Sequence, residues 1–391
     1  MESKADVDEK LFRRDFMAVC TSNLLAFFSI YMIVPVLPLF LEEKGYSNAL
    51  IGALMAMLTV AALLRPLFGR AADRRGRKLV VFLGTMFLGV STYLYAAFGS
   101  ALPLFFVRFV NGLGLAAFHT AAYAMIGDLA PSSRRLQAIA IFYMSVDLAI
   151  ATAPWAGLAI EEAWGFTHVY IIAASLAVLA MFASLALRET GTRGVQKEKG
   201  KRTRIRLTVL QKAIFVNTMC FTLTLGTLQA FIILSSEAKG IDLGQFFFTI
   251  FAATLIVFRV GVGRRADRWP RRPLIVASAC ATLAGLVIIA LASSIAILFT
   301  GTFVYALGFA YLPTTLSALL LDHTPESDRG AALGIFMAVF DVGIGLGSLA
   351  LGPLADLWNY TTMYLACAAI GLAGLLFFLF LTARSRCGEG A

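Results

Sequence analysis

Twelve long, continuous apolar stretches dominate the sequence, and they restrict the chain to lipid as its solvent. Hydrophobic residues fill 59% of the 391 positions and charged residues only 14%, whereas a soluble domain carries about 25% charged residues. A helix needs about 20 apolar residues to cross a bilayer core, and the stretches lack the two-residue alternation of membrane barrels. The sequence therefore predicts an all-α integral membrane protein with twelve transmembrane helices. The predicted spans are residues 16–41, 48–70, 79–98, 101–127, 136–160, 167–187, 210–235, 243–263, 273–292, 295–321, 330–355 and 360–382.

The distribution of basic residues predicts the orientation. All but three of the 33 Lys and Arg residues lie in loops and helix ends on one side, and the exceptions are Lys44, Lys239 and Arg108. Because cytoplasmic loops are enriched in Lys and Arg, we expect a multi-pass protein of the cell inner membrane with both termini in the cytoplasm. This placement also indicates that the basic residues behind the net charge of +10 interact with the lipid bilayer, so we expect no nucleic-acid partner.

The longest loop, residues 188–209, divides the predicted helices six and six. It is basic, contains glycine and has few large apolar residues, which is typical of a flexible linker. Its basic run is explained by attraction to anionic lipid headgroups, or else by a regulatory or partner site. We therefore predict an N-terminal six-helix bundle over residues 1–187, a cytoplasmic linker, and a C-terminal six-helix bundle over residues 210–391.

The two halves repeat each other at a separation of 194 positions. The segment RPLFGRAADRRGRK, Arg65–Lys78, resembles RVGVGRRADRWPRR, Arg259–Arg272, and Asn23 has its counterpart in Asn217. Repeats of equal topology, related by an axis along the membrane normal, form carriers with a cavity at the repeat interface. The sequence thus predicts two pseudo-symmetric bundles with an architecture suited to transport.

Two motifs resemble those of a known family. GRAADRRGRK, Gly69–Lys78, resembles the loop signature GxxxDRxGR[RK] of the major facilitator superfamily at every defined position. RFVNGLGLAA, Arg108–Ala117, resembles the RxxqGxgaa signature of its drug–proton antiporter branches, with Asn111 in place of glutamine. The antiporter motif GxxxGPxxGG is replaced by AIATAPWAGL, Ala149–Leu158, which lacks three of the glycines. The resemblance implies the major facilitator fold and alternating access.

Ionisable residues inside predicted spans are the first functional candidates, because charge in the bilayer core is costly. Asp147 is predicted about 15 Å from the cytoplasmic face, near the membrane midplane, with His119 within one helical turn of the same depth. We interpret Asp147 as a carboxylate that takes up and releases protons; the alternative is a structural carboxylate hydrogen-bonded to a neighbouring helix. His119 is the second candidate, since the ordinary pKa of histidine is about 6.5, or else a packing residue.

Arg108 and Asp341 are the other two proton-coupling candidates. For Arg108 the resemblance implies a role in proton coupling or in binding an anionic group, and the alternative is a snorkelling residue near the outer surface. Asp341, the counterpart of Asp147, can bind a cationic substrate or a second proton, or can be an unused product of duplication. The remaining substrate-cavity candidates are polar or aromatic residues of the spans: Asn23, Tyr31, Asn111, Tyr123, Tyr143, Trp155, Asn217, Gln229, Tyr305 and Tyr311.

The resemblance also implies a cytoplasmic gate, a charged network that closes the inner face when the carrier is open to the outside. Carboxylates in this network can accept hydrogen bonds from arginines, as Asp128 can from Arg74 or Arg77. Pro270 replaces a glycine in the second copy. The predicted gate residues are Gly69, Asp73, Arg74, Gly76, Arg77, Asp128 and Arg135, with the second-half residues Asp267, Arg268, Arg271 and Asp322.

These patterns favour a monomeric secondary transporter that exports a small amphipathic molecule or metabolite, of the multidrug type, by antiport with protons. Two alternatives remain open: proton-coupled or facilitated uptake of a small polar or anionic solute that uses Arg108, and lipid translocation on the same fold. The five cysteines have no metal-ligand spacing and no nucleotide-binding motif occurs, so we expect no metal, no cofactor and no enzymatic activity.

Overall fold

The computed structural model describes residues 14–131, 134–190, 207–241, 243–244, 246–261, 269–325 and 328–388, and the regular structure within these ranges is helical. The helices, numbered in chain order, are α1 Arg14–Glu43, α2 Asn48–Ala62, α3 Arg65–Arg75, α4 Arg77–Ala97, α5 Ala101–Leu129, α6 Arg135–Trp164, α7 Phe166–Leu185, α8 Val209–Ala238, α9 Phe246–Gly261, α10 Arg271–Ala290, α11 Ile295–Asp322, α12 Arg329–Leu357 and α13 Tyr360–Gly388.

Eleven segments of the described chain are long and apolar enough to cross a membrane. Helices α2 and α3 count as one of them, and α9 is a shorter apolar helix over Phe246–Phe258. Lipid offers no hydrogen bonds to the backbone, so a spanning segment must satisfy its own polar groups as a helix does. The prediction of an all-α multi-pass membrane protein is confirmed, with eleven long spans and one shorter helix where the sequence predicts twelve spans.

The second predicted span, residues 48–70, contains a break. Helix α2 ends at Ala62, a turn covers residues 63–64, and α3 begins at Arg65. Pro66 lies in the first turn of α3. Proline lacks the amide proton that an interior helical residue donates, but at a helix start that proton has no intrahelical partner, so proline is tolerated there.

The chain packs as two compact units, and each unit is built from two segments that are separate in the sequence. The first unit contains Met1–Val36 and Val60–Arg202, and the second contains Leu37–Thr59 and Thr203–Ala391. The end of α1 and most of α2 therefore pack with the second unit, although the chain connects them to the first. The division into bundles over residues 1–187 and 210–391 stays a prediction.

Each unit buries its own core. In the second unit, apolar side chains of α8, α10, α11, α12 and α13 form one cluster that includes Phe221, Leu316, Phe336 and Phe378. In the first unit, the largest fully buried side chains include Phe118 and Phe142. These cores fix which faces of the long helices are left to hold polar residues.

A capping box at the end of the predicted linker begins α8. The Thr208 hydroxyl accepts from the Gln211 backbone N–H at 3.2 Å, and the Gln211 side-chain carbonyl accepts from the Thr208 N–H at 3.0 Å. Such a box satisfies amide protons that the first helical turn leaves without intrahelical partners. The Gln211 amide also donates to the Thr324 hydroxyl at 3.1 Å, which ties the start of α8 to the chain just beyond α11.

We expect Thr208→Ala to lower the free energy of unfolding by about 1 kcal/mol, because the helix loses its capping acceptor. Equilibrium unfolding of the purified protein in mixed detergent micelles measures this difference. Thr208→Ser retains the acceptor and is the matched control. An alanine variant as stable as the serine variant would contradict the stabilising role of the cap.

Candidate functional site

A group of ring side chains surrounds His119 in the first unit. The imidazole stacks on Phe142 with ring centroids 5.5 Å apart, and Phe27 and Tyr143 meet it edge-on at 5.1 and 6.1 Å. Helices α1, α5 and α6 each contribute two members. We call this group the His119 cluster; it consists of Phe27, Tyr31, His119, Tyr123, Phe142 and Tyr143.

The His119 cluster has a closed side and an open side. Phe142 is fully buried, whereas Tyr123 and Tyr143 are 42% and 38% exposed. Within the described residues, the Nε2 atom of His119 is buried without a hydrogen-bond partner. Asp147 is half-buried one helical turn beyond Tyr143 on α6, and residues four apart lie on one helix face. His119 contacts Tyr143, and Asp147 follows Tyr143 by one helical turn, while the proton-coupling roles of His119 and Asp147 stay predictions.

Asn23 fastens α1 to α6 beside this cluster. Its fully buried amide donates to the Phe142 carbonyl at 3.1 Å and to the Ser145 hydroxyl at 2.8 Å. Buried amides need such partners, because losing hydration without replacement costs free energy. In this structure the amide nitrogen of Asn23 thus serves an interhelical contact, and its predicted role in a substrate cavity stays a prediction.

Arg65 is a member of this region that the sequence did not single out. It stands at the start of α3, half-buried, and lies close enough to His119 for a charge interaction. In the sequence, Arg65 is only one of many basic residues predicted near the cytoplasmic face. The sequence feature that could have indicated the position of Arg65 is Pro66, which lies at the start of the new helix α3.

Arg108 and Asn111 pack at a different place along α5. The Arg108 guanidinium is fully buried beside the hydroxyls of Tyr95 and Tyr170, whose ring centroids are 5.5 Å apart. The Asn111 amide is fully buried and donates to the hydroxyls of two α4 residues, at 3.1 Å to Ser91 and 3.0 Å to Thr92. Both side chains are therefore enclosed by neighbouring helices of the first unit.

Helical periodicity puts Arg108, Asn111 and His119 near one face of α5, but that face meets different neighbours along its length. Arg108 and Asn111 contact α4 and α7, whereas His119 contacts α1 and α6. Packed helices cross at an angle, so a single stripe along the 29 residues of α5 meets different helices in turn. Helical periodicity cannot show this change.

In the second unit, several predicted cavity residues are enclosed. Tyr305 is fully buried and shares a 2.8 Å hydrogen bond with the Thr224 hydroxyl, and the Tyr311 hydroxyl donates to the Phe258 carbonyl at 3.0 Å. Gln229 and Asp341 are half-buried on α8 and α12. Trp155, in the first unit, is 51% exposed.

Asn217 differs from its counterpart Asn23. It is fully buried, yet neither its amide nitrogen nor its carbonyl oxygen has a hydrogen-bond partner among the described residues. Val339 occupies the position equivalent to Ser145, so the hydroxyl that Asn23 uses is missing from the second half. The repeat retained the asparagine without retaining its partner.

Two ion pairs occur at equivalent positions of the predicted gate. Arg77 pairs with Asp128 and also donates to the Ala124 carbonyl at 2.7 Å, and Arg271 pairs with Asp322 at 3.5 Å. The other predicted gate residues differ in their exposure, and some of them lie outside the described residues. Gly69 is half-buried and Gly76 buried, Asp73 and Arg74 are exposed, and the Arg135 side chain, Asp267 and Arg268 lie outside the described residues.

Glu189 is a partner of this loop that the sequence did not reveal. Its carboxylate accepts from the backbone N–H of Arg77 at 2.8 Å and of Lys78 at 3.2 Å, at the N-terminus of α4. Gly76 has a φ of +103°, and a Cβ there would collide with the Glu189 carboxylate. The glycine of the loop motif thus leaves room for a carboxylate that lies 112 positions after Arg77, a pairing that no local pattern indicates.

Comparison with known families supplies the decisive observation. The sequence profile of the Major Facilitator Superfamily matches residues 19–244 and 212–387. The chain belongs to this superfamily. The resemblance to this superfamily that the sequence motifs indicate is therefore confirmed.

Superfamily members with similar sequences include two named for drug resistance. The multi-drug resistance efflux pump PmrA of Streptococcus pneumoniae is 24% identical over 367 residues, which cover 88% of this chain and 90% of PmrA. The quinolone resistance protein NorA of Staphylococcus aureus is 22% identical over 370 residues, 91% and 93% of the two chains. The solved nucleoside transporter NupG superposes with a TM-score of 0.76 at 17% identity, covering 94% of this chain and 98% of that chain. At this identity the structural likeness shows the fold alone.

The two asparagines of this superfamily member provide a matched test of polar burial. We expect Asn23→Leu to lower the free energy of unfolding by about 1–2 kcal/mol, because two interhelical hydrogen bonds are lost. We expect Asn217→Leu to leave it unchanged or to raise it by up to about 2 kcal/mol, because an unpartnered buried amide is removed.

Equilibrium unfolding in mixed micelles compares the two variants with the wild type. Both substitutions replace asparagine by a side chain of similar shape, so each is a control for the other. An Asn217→Leu variant destabilised as much as Asn23→Leu would contradict the difference in hydrogen bonding.

Proposed function

We propose that the chain is a secondary active transporter that exports small amphipathic molecules or metabolites in exchange for protons. The observation that carries the proposal is the His119 cluster in membrane-spanning helices, with a second titratable residue, Asp147, one helical turn after its member Tyr143 on α6. Ionisable groups at such depth commonly serve proton relays and substrate pathways. The names of PmrA and NorA, an efflux pump and a quinolone resistance protein, support export.

The finer architecture belongs to the same proposal. We count α9 as a membrane span in addition to the eleven longer segments, which makes twelve spans in two pseudo-symmetric bundles of six. The basic loops support a place in the inner membrane with both termini in the cytoplasm. The proposed partners are a small-molecule substrate, protons and the lipid bilayer, and the proposed working form is a monomer without nucleic acid.

In the proposed cycle Asp147 carries the proton. Asp147 follows Tyr143 by four residues on α6, so the two residues lie on one face of that helix. Protonation removes the charge of Asp147, so the protonated and substrate-loaded states differ in the charge held within the first unit. His119, enclosed by rings, positions the cluster or relays the proton. The proposal gives Arg108 a structural place among buried tyrosines and leaves Asp341 as a second carboxylate.

Arg65 favours a second candidate function. This cation lies near His119, where it can attract an anionic group of a solute. On that basis the carrier takes up a small polar or anionic solute, with Arg65 in the binding role that the sequence assigned to Arg108. The sign of charge on transported substrates separates the two functions.

We expect Asp147→Asn to reduce substrate-driven proton flux about tenfold or more, because the side chain no longer titrates. The measurement uses purified protein in liposomes with an imposed pH gradient and records proton movement as lipophilic cations, anions and zwitterions are added in turn. Glu162→Gln is the matched control, since it neutralises an exposed carboxylate on the same helix.

Proton flux that is triggered by cations, lost in Asp147→Asn and retained in Glu162→Gln supports proton-coupled export. Undiminished flux in Asp147→Asn rules out the proposed proton carrier. A response to anions alone, lost in Arg65→Gln, favours the uptake function.

A further inference from the structure

Residues 37–59 belong to the second unit although the chain before and after them belongs to the first, and prolines lie near both ends of this stretch. Pro35 and Pro38 lie within α1 on either side of the boundary between Val36 and Leu37, and Pro66 follows the break after α2. Proline inside a helix removes a backbone hydrogen bond and permits a bend. The chain can therefore bend within α1 at one end of the segment and at the break over residues 63–64 beyond its other end. We call residues 37–59 the outer segment, because the predicted topology places the turn between α1 and α2 opposite the cytoplasm.

One carboxylate holds the beginning of α2 within the second unit. Asp356, near the end of α12, accepts hydrogen bonds from the backbone N–H of Asn48 at 2.8 Å and of Ala49 at 2.8 Å, and from the Asn48 side-chain amide at 2.9 Å. The first amides of a helix lack intrahelical partners and carry partial positive charge. A carboxylate from another helix therefore satisfies them and attracts the helix end.

Tyr360 also forms a hydrogen bond with Asn48. The Tyr360 hydroxyl at the start of α13 donates to the Asn48 side-chain carbonyl at 2.9 Å. Asn48 thus uses both atoms of its amide group, one toward α12 and one toward α13. The outer segment is tied at this point to two helices of the second unit.

Below this end, α2 approaches α12 closely enough to require glycine. A Cβ on Gly52 would collide with the Ser348 carbonyl, and a Cβ on Gly352 would lie 2.5 Å from the Asn48 carbonyl. Such contacts depend on small residues that let two backbones approach. We call Gly52 and Gly352 the glycine seam. This seam is independent of the Asp356 hydrogen bonds, and both contacts hold α2.

We propose that Asp356 is a positioning residue, which docks the outer segment on the second unit in one transport state and releases it in another. The inference rests on the proposed function, because alternating access requires that some contacts form in only one state. The hydrogen bonds to Asp356 are solvent-exposed, so water can replace them when the segment leaves. The prolines of α1 and the break at residues 63–64 allow the segment to move without unfolding α1 or α3.

The first test measures the contact itself by hydrogen–deuterium exchange of peptides from residues 44–62. We expect Asp356→Asn to raise exchange at the start of α2 about tenfold, because local opening becomes easier. Gly52→Ala disturbs the glycine seam instead and should have the same effect. Glu43→Gln removes an exposed carboxylate of α1 close to the same turn and is the control.

The second test measures flux in liposomes. If release of the outer segment is part of the cycle, Asp356→Asn should lower the transport rate about threefold or more by shifting the balance of states. The reduction should be equal for every transported substrate, since Asp356 acts on the conformation and contacts no solute. Glu43→Gln should transport at the wild-type rate.

Unchanged exchange in both Asp356→Asn and Gly52→Ala would overturn the proposal, and so would raised exchange with unchanged flux. Exchange needs no substrate and therefore separates this inference from the proposed function. A wild type that moves no member of the substrate panel rejects proton-coupled export, while raised exchange in both variants, with Glu43→Gln unaffected, still supports docking by Asp356.

Discussion

In this structure every backbone polar group must find a hydrogen-bond partner other than water, and the rest of the fold depends on that obligation. In lipid only a helix meets that obligation along a whole span, so the apolar stretches become long helices. The obligation returns wherever a helix ends, because the first amides have no intrahelical acceptor. Thr208, Glu189 and Asp356 each supply one at the start of a helix. Two of these acceptors come from distant parts of the chain, so satisfying helix ends also joins elements.

Buried polar side chains also need hydrogen-bond partners, and they differ in whether and how they find them. Asn111 meets two hydroxyls of α4 and Asn23 meets a carbonyl and a hydroxyl of α6, so these amides connect helices. Arg108 brings a permanent charge into a buried site lined by two tyrosines. Asn217 is buried without such partners among the described residues. Duplication explains this contrast, because a repeated asparagine keeps its position while its partner changes from Ser145 to Val339.

The sequence was most informative where a pattern is local. Hydropathy located the helices, and the loop motif at Gly69–Lys78 indicated the superfamily that the profile comparison shows. Spacing predicted similar depths for Asp147 and His119, and a ring contact joins His119 to Tyr143, which precedes Asp147 by one helical turn. Local patterns did not reveal the roles of Arg65 or Glu189, because both depend on helices distant in sequence. Nor did they show that Arg108 and His119 face different neighbours, since helix crossing angles are set by packing.

Sequence by itself determined the solvent, the secondary structure and the family of this protein, because apolar length and short motifs are written along a single stretch of chain. Tertiary structure alone decided which polar atoms found partners. It alone assigned residues 37–59 to the second unit, where Asp356 and the glycines of α2 and α12 hold them. The physical reason is that hydrogen bonds and backbone contacts depend on distances across helices, which no periodicity along one helix encodes.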